Sequence, residues 1–379
     1  MQHKACFEAV NRTLNDICEA EGGKIFGGIP ISLGGDFAQI LPVVRQGSKH
    51  SIIQASIQHS LLWNQLTILR LIRNMRIIEG AANNYFLAFL EAMVHNPLYY
   101  GDLALPAVIP TVNSVELLCN TIYPADLLSN SSNNPDAFKG RSILSYRNET
   151  VKEFNEKLIQ NMPGEMHEFM SMNSVDINDD AVEAEPFPAE YLQSINLPSL
   201  PPAILQLKVS APAIHLRNIS PKEGMCNGTR LRIIGLGRNC TKVTILGGDW
   251  DRQVRLLLRI KLTSSEEHLP FILTRKQFPI RLCFAMTVNK SQGQSLQHVG
   301  VDLRTGAFTC GQLYVALSRV TSVERLVVSQ SESTLSQTSN IVYPEVLESI
   351  KFSVILTLFL LCLFSFILDK SIKLLRHLF

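Results

Sequence analysis

Apolar residues recur at helical spacing near the start of the chain, where Phe7, Val10, Leu14 and Ile17 share one face, so a helix is predicted over residues 4–20. The following GGKIFGGIPISLGGDF reads as a glycine-bounded buried strand. Helix followed by strand is the grammar of an α/β fold. After Pro42 the chain turns polar, then LLWNQLTILRLIRNMR gives a strand-like run and NYFLAFLEAMV an amphipathic helix. RSILSYRNETVKEFNEKLIQNMP predicts a short apolar strand and a helix with Val151, Phe154, Leu158 and Ile159 on one face, a second α/β unit.

The pattern then changes. TRLRIIGL, KVTILGG and QVRLLLRIKL are short β-rich runs separated by Gly, Asn and Asp, the signature of a small antiparallel barrel or sheet. Charge changes with it. Residues 158–207 contain eight acids and no Lys or Arg, a pattern that reads as a solvated loop, and end in the proline-rich NLPSLPPAIL, which marks a boundary. Residues 208–290 carry fifteen Lys and Arg against five Asp and Glu, an excess of ten positive charges hidden by the near-balanced total of 35 against 33. Arg230, Arg232, Arg252, Arg255, Arg259 and Lys261 sit on alternating strand positions. They present either a phosphate-binding surface or a plain solvated face, and the first is the expectation taken forward.

At 379 residues the chain has room for about two domains, and 46% hydrophobic content excludes general disorder. The balanced charge excludes a uniformly basic chromatin protein. Eight cysteines without a C-x-x-C pair disfavour a zinc module or a disulfide scaffold, and reduced thiols in cytosol or nucleus fit them. The first twenty residues have no apolar core or small-residue cleavage site of a secretory signal. FSVILTLFLLCLFSFIL, at 352–368, is an uncharged stretch at the short limit for crossing a bilayer. It reads as a tail anchor, which Lys370, Lys373 and Arg376 would orient with the C-terminus in the cytosol, or as appended apolar sequence from a gene-model error or read-through.

Four segments carry the chemistry: GGDFAQILPVV at 34–44, LIRNMR at 71–76, FAMTVNKSQGQSL at 284–296 and QLYVALSRVTS at 312–322. On residue type alone, Asp36 is a turn former, Gln39 a surface amide, Lys290 a helix-end charge, and Arg76 and Arg319 surface ion-pair formers. In this order, however, the segments resemble motifs III to VI of superfamily-one helicases of the 5′-to-3′ class, and most nearly the petite-integration-frequency (PIF-type) family with its Helitron-transposon relatives. The likeness runs through MQHKACFEAVNRTLNDI, LKVSAPAIHLRNISPKEGMCNGTRL, RKQFPIRLCFAMTVNKSQGQ and NIVYPEVL, covering about residues 1–347. Family members usually read DFRQ where this chain has Ala38, and HNPLYYGDLALP at 95–106 departs from the family's usual helix exit.

The resemblance implies an α/β, RecA-like P-loop NTPase fold: the end of a first lobe at 1–76, a second lobe at 77–204 and 271–347, an inserted SH3-like β module at 205–270, and the apolar tail at 348–379. It implies ATP-dependent 5′-to-3′ DNA unwinding, with roles in replication, repair, recombination, telomere maintenance or Helitron transposition, and a place in nucleus or cytoplasm. Partners would be single-stranded DNA and duplex junctions, with a membrane as a further partner through 352–368. By position, Gln39, Arg76 and Arg319 would be catalytic. Asp36, Lys290, Gln292 and Gly293 would bind ATP, and Thr287, Asn289 and Ser291 would contact DNA. Guanidinium suits a finger role because its fixed fork pairs two phosphate oxygens and stays charged.

No G-x-x-x-x-G-K-[ST] occurs, and Gly22-Gly23-Lys24 is a decoy, since Cys18 and Ile25 stand where glycine and Ser or Thr belong. The acid pair that would hold Mg2+ is absent as a motif; in the family MQHK lies just after it. The expectation is an N-terminally truncated chain, inactive alone as an ATPase, whose ATP and Mg2+ ligands lie in a missing part. The rival expectation is a non-catalytic single-stranded-DNA-binding remnant of a Helitron helicase.

Overall fold

The computed structural model describes residues 1–18, 24–71, 74–176, 187–264, 269, 271–330 and 337–348. The chain divides into two compact units, one of Met1–Phe37, Leu41–Ile72 and the segment from Tyr343, the other of Ala38–Ile40 and Arg73–Val342.

The first unit contains no strand among its described residues. Its helix Lys4–Ile17 follows the predicted periodicity and is capped by His3, whose Nδ1 accepts from the Ala5 amide at 3.1 Å, but none of its residues is buried. Asn11 and Asn15 side chains accept from the Phe26 and Gly27 amides at 2.6 Å, which pins a short 3-10 turn, Ile25–Gly28, on this helix. The buried strand expected over GGKIFGGIPISLGGDF is therefore not formed in the part described: Ile29, Ile31 and Leu33 are exposed. An extended segment buries alternate side chains only within a sheet, and this unit supplies no ladder to receive it. The strand-like run after Leu61 is likewise corrected to a 3-10 turn, Trp63–Gln65, and irregular chain with Leu69 and Leu71 exposed.

The second unit is built on a five-stranded parallel sheet in the order Ala285–Thr287, Arg141–Ser145, His298–Asp302, Leu326–Ser329, Thr111–Val112. Its alternation shows in which core each residue joins. Ile143, Ala285 and Val327 face one core with Leu118, Ile122, Val151, Phe154 and Leu158, whereas Leu144, Met286, Val299, Val301 and Val328 face another with Phe86, Phe89, Leu90 and Val315. Covered on both faces, these strands carry apolar residues at their centres on both sides, as parallel sheets do, with polar residues such as Arg141, Asp302 and Ser329 towards their ends. The predicted helices form: Ala81–His95, and Asn148–Gln160 with Val151, Phe154, Leu158 and Ile159 buried. Gly300 lies mid-strand because a Cβ there would stand 2.9 Å from Ile122 Cγ1 and 3.1 Å from Leu118 Cδ1, so the Val115–Ile122 helix packs directly on the strand backbone.

Between Asn148–Gln160 and Ala285–Thr287 the chain leaves the sheet and builds the insert. Five antiparallel strands run in the order Val254–Leu258, Cys240–Ile245, Arg230–Leu236, Pro212–His215, Ile280–Leu282. Two smaller ladders join His167–Met170 to Ile204–Leu207, and Ile260–Thr263 to Ile272–Gln277 to Met172–Asp176. Strand pairing thus runs past both ends of 205–270.

Much of the expected basic surface is spent inside. Arg230 and Arg232 are buried, donating to the carbonyls of Arg141 and Cys283 and of Ser131 and Ser132, respectively, so they brace the insert against the lobe instead of facing solvent. Arg252 pairs with Asp136. The solvated loop expected over 158–207 is corrected where it is described, to the strands His167–Met170, Met172–Asp176 and Ile204–Leu207 and the helix Ala189–Ser194. Its residues 177–186 and the apolar tail 352–368 lie outside the described residues; among the described residues no helix is long and apolar enough to cross a membrane.

Candidate functional site

The edge strand Ala285–Thr287 ends in a 3-10 turn, Val288–Ser291, and an exposed bend at Gly293, where φ is +78°. This segment leaves the carboxyl end of a parallel sheet, where open α/β folds bind ligands. Within the second unit it is gripped from three directions.

The first is Gln39. Gln292 Nε2 lies 3.5 Å from Gln39 Oε1 and from the Ile40 carbonyl, at the outer limit of hydrogen bonding, so this is the loosest of the grips. Gln39 is itself placed by Gly311, whose backbone presses so close that a Cβ there would stand 2.6 Å from the Ala38 carbonyl oxygen and from the Gln39 carbonyl carbon. With φ at +77°, Gly311 starts the helix Gln312–Leu317 in the left-handed region.

The second is Arg76, half-buried, whose Nε donates to Ser295 Oγ at 3.1 Å and whose Nη1 donates to the Ser318 carbonyl at 3.0 Å. Asn74 Oδ1 accepts from the Arg76 amide at 2.9 Å and fixes the approach.

The third is Arg319, fully buried just past the helix Gln312–Leu317. Its guanidinium donates to the Val315 carbonyl at 3.0 Å, the Gln294 carbonyl at 3.3 Å and Ser318 Oγ at 2.9 Å, while its own carbonyl accepts from the Leu296 amide at 2.8 Å. A guanidinium so engaged holds the 291–296 bend in place; it does not present a free finger in this conformation.

The expected DNA contacts separate. Ser291 is fully buried and its hydroxyl donates to the Val288 carbonyl at 2.7 Å, closing the 3-10 turn, so it offers no surface to a strand of DNA. Thr287 is 9% exposed. Asn289 is half-exposed, and its Oδ1 accepts from Gln312 Nε2 at 3.1 Å. Gln312, wholly buried, also accepts from the Phe308 and Thr309 amides at 3.0 and 3.2 Å. Lys290 is half-buried, and burial first, then the nearby Arg281 charge, holds its amine below the ordinary lysine value. Asp36 precedes a turn in the first unit, beside Phe37, whose ring meets the Trp63 edge at 5.7 Å.

Gly311 and Gln312 are positioning residues that motif spacing did not single out. A glycine directly before a helical run was the only sequence signal for the first; the second opens the QLYVALSRVTS segment, but nothing in that segment marked its amide as buried. Among the described residues no group of three or more His, Cys, Asp or Glu side chains is placed to hold a metal ion.

The comparisons with known proteins agree along the chain. Residues 1–90 match a profile described as PIF1-like helicase, residues 190–236 one described as the 2B domain of DNA helicase Pif1, and residues 261–349 one described as helicase. The ATP-dependent DNA helicase PIF1 of Rattus norvegicus is 26% identical over 319 residues, 82% of this chain and 42% of that protein. The chain therefore spans less than half the length of that relative. Among solved structures, the Pif1 helicase of Candida albicans superposes with a TM-score of 0.60 at 22% identity, over 91% of this chain and 72% of that one. The Bacteroides Pif1 bound to ssDNA gives 0.57 at 19%, over 86% and 68%. These likenesses show that the chain shares the fold of those Pif1 structures.

Proposed function

We propose that the chain is a relative of the PIF1-like helicases it resembles and that it carries the nucleotide-sensing and strand-holding part of an ATP-driven 5′-to-3′ DNA helicase. What supports this reading is the convergence of Gln39, Arg76 and Arg319 on one segment, 291–296, that is continuous with the half-exposed Asn289.

Such an arrangement converts a change at a phosphate into a displacement at a strand. Gln39 and Gln292 are neutral amides at their loosest contact, able to exchange each other for a γ-phosphate oxygen at small cost. Arg76 is half-buried on two neutral acceptors, and an anionic phosphate is the stronger partner for its fork. Moving either residue withdraws a support from the bend after Ser291, and Gln312 passes the shift to Asn289. Arg319 is the fixed pivot. Gly293 supplies the backbone freedom, since nothing stands within 4 Å of a Cβ there. Catalysis in this class is positioning and charge stabilisation around a transferring phosphoryl group. Magnesium, when bound, would supply charge neutralisation on the triphosphate.

Lacking a G-x-x-x-x-G-K-[ST] segment, the chain holds single-stranded DNA without hydrolysing ATP at a useful rate. Its setting in this reading is the nucleus, where its DNA partner lies. The test is fluorescence anisotropy with a single-stranded oligonucleotide, alongside ATP hydrolysis with and without DNA. Binding that weakens steeply with salt, without hydrolysis, is expected; absence of binding at low salt refutes the reading.

A further inference from the structure

The five-stranded antiparallel sheet of the insert has Val254–Leu258 as its outer strand, and among the described residues no strand lies against the free edge of that segment. An unpaired edge presents a row of backbone donors and acceptors, which soluble proteins usually blunt with charged side chains, proline or a covering element. This edge carries apolar side chains instead. Residues 254–258 read VRLLL, and alternation turns Leu257 into the core with Val243 and Ile245 while Val254, Leu256 and Leu258 face outward. The three are 43%, 67% and 61% exposed, a continuous apolar stripe along the edge.

The one cation within the strand is folded away from the stripe. Arg255 donates through Nη1 to the Val254 carbonyl at 2.9 Å and through Nε to the Glu223 carbonyl at 3.2 Å, with its guanidinium 5.8 Å from the centroid of the Trp250 ring. Behind the stripe, Leu256 stands opposite Lys242, an exposed lysine on the neighbouring strand Cys240–Ile245. Asp251, the acid that precedes the strand, is taken by Lys139 at 2.6 Å. Residues 252–264 then hold Arg252, Arg255, Arg259 and Lys261 and no Asp or Glu.

We propose that this edge is a docking surface for an extended segment of another protein, one that alternates aliphatic with acidic residues and adds to the sheet as a further strand. Main-chain hydrogen bonds along the edge give affinity, and the stripe selects side chains at alternate positions of the segment. Its aliphatic residues meet Val254, Leu256 and Leu258, and the acids between them fall on the side of Arg255. The run of cations favours an acidic segment and repels a second copy of this chain, and three side chains fall far short of the about 800 Å² per partner that a stable dimer buries. Nucleic acid is disfavoured because phosphates only accept hydrogen bonds, whereas a strand edge also presents carbonyls that need donors. The proposal stands apart from the strand-holding reading above and does not depend on it.

The experiment uses the full chain and its L256E variant, a change at an exposed position, with thermal unfolding as the control for folding. The probe is a short fluorescent peptide of alternating Glu and Val. Anisotropy is expected to show saturable binding to the unaltered chain and about tenfold weaker binding to L256E. Hydrogen exchange is expected to slow at residues 254–258 when the peptide is bound. Of two further probes, one N-methylated at its valines and the other at its glutamates, one is expected to lose binding and the other to keep it, since only alternate N–H groups of a strand face a given edge. No binding below about 1 mM, equal affinity for the two chains, or unchanged exchange at 254–258 overturns the proposal. Displacement of the peptide by a single-stranded oligonucleotide that L256E also binds more weakly overturns it in favour of nucleic acid. A concentration-dependent dimer in sedimentation that L256E abolishes overturns it in favour of a second copy.

Discussion

At the scale of single residues the bend at 291–296 is held by buried groups packed within the second unit. Gly311 is the clearest: its left-handed φ and its contact with the Gln39 backbone both exclude a side chain. Gly311→Ala is expected to cost about 1–3 kcal/mol, combining the left-handed penalty with displacement of a backbone carbonyl, and a urea unfolding midpoint reads it directly. An unchanged midpoint contradicts that packing. Arg319→Met removes donors from the Val315 and Gln294 carbonyls in a dry interior; a loss of about 2–4 kcal/mol is expected by the same measurement. His215 gives a pH signature. It is wholly buried on the strand Pro212–His215, and burial holds its imidazole below the ordinary value, partly offset by the backbone of Arg217 and Cys226. Above about pH 6.5 both folded and unfolded chains carry it neutral. As pH falls through that value the unfolded chain takes up a proton that the folded chain refuses, so stability drops on the acid side, by at most about 1.4 kcal/mol per pH unit from this group. Melting temperature against pH should show the decline, and His215→Gln should reduce it.

At the scale of elements, the strand–helix pair over residues 141–160 and the helix over 81–95 follow from periodicity, because each meets a partner that its apolar face was patterned for. The run from Gly22 to Phe37 has the same strand-like composition and yet no ladder forms where it is described, since a strand's burial is a property of its neighbours and not of its own residues. Convergence of Gln39, Arg76, Gln292 and Arg319 follows motif order, but their working contacts do not. Arg230 and Arg232 show why: alternation places them on one face, but only the fold reveals that this face looks onto the carbonyls of the lobe. Gly300 tests the sheet itself. Gly300→Val should drive a branched side chain into Ile122 and Leu118 and cost about 1–3 kcal/mol or more, as overpacking does, whereas the same change at exposed Gly293 meets no neighbour and is penalised through its positive φ. Equal effects at the two sites would argue against the close helix contact at Gly300.

At the scale of the second unit, strands that are neighbours in the sheet are remote in the chain: Arg141–Ser145 pairs with Ala285–Thr287 across the whole insert. More than a hundred residues of chain thus separate the sheet's edge strand from its neighbour, which favours slow folding dominated by long-range pairing. A stopped-flow refolding trace should contain a slow phase, and truncating the hairpin tip at 237–239 should alter its rate less than replacing the brace residue Arg230. That edge strand runs without a break into Val288–Ser291. Maturation of the insert thereby becomes a checkpoint on the lobe: a molecule whose antiparallel strands are misassembled also leaves the bend after Ser291 unanchored, so damage in the insert is felt at the far end of the edge strand.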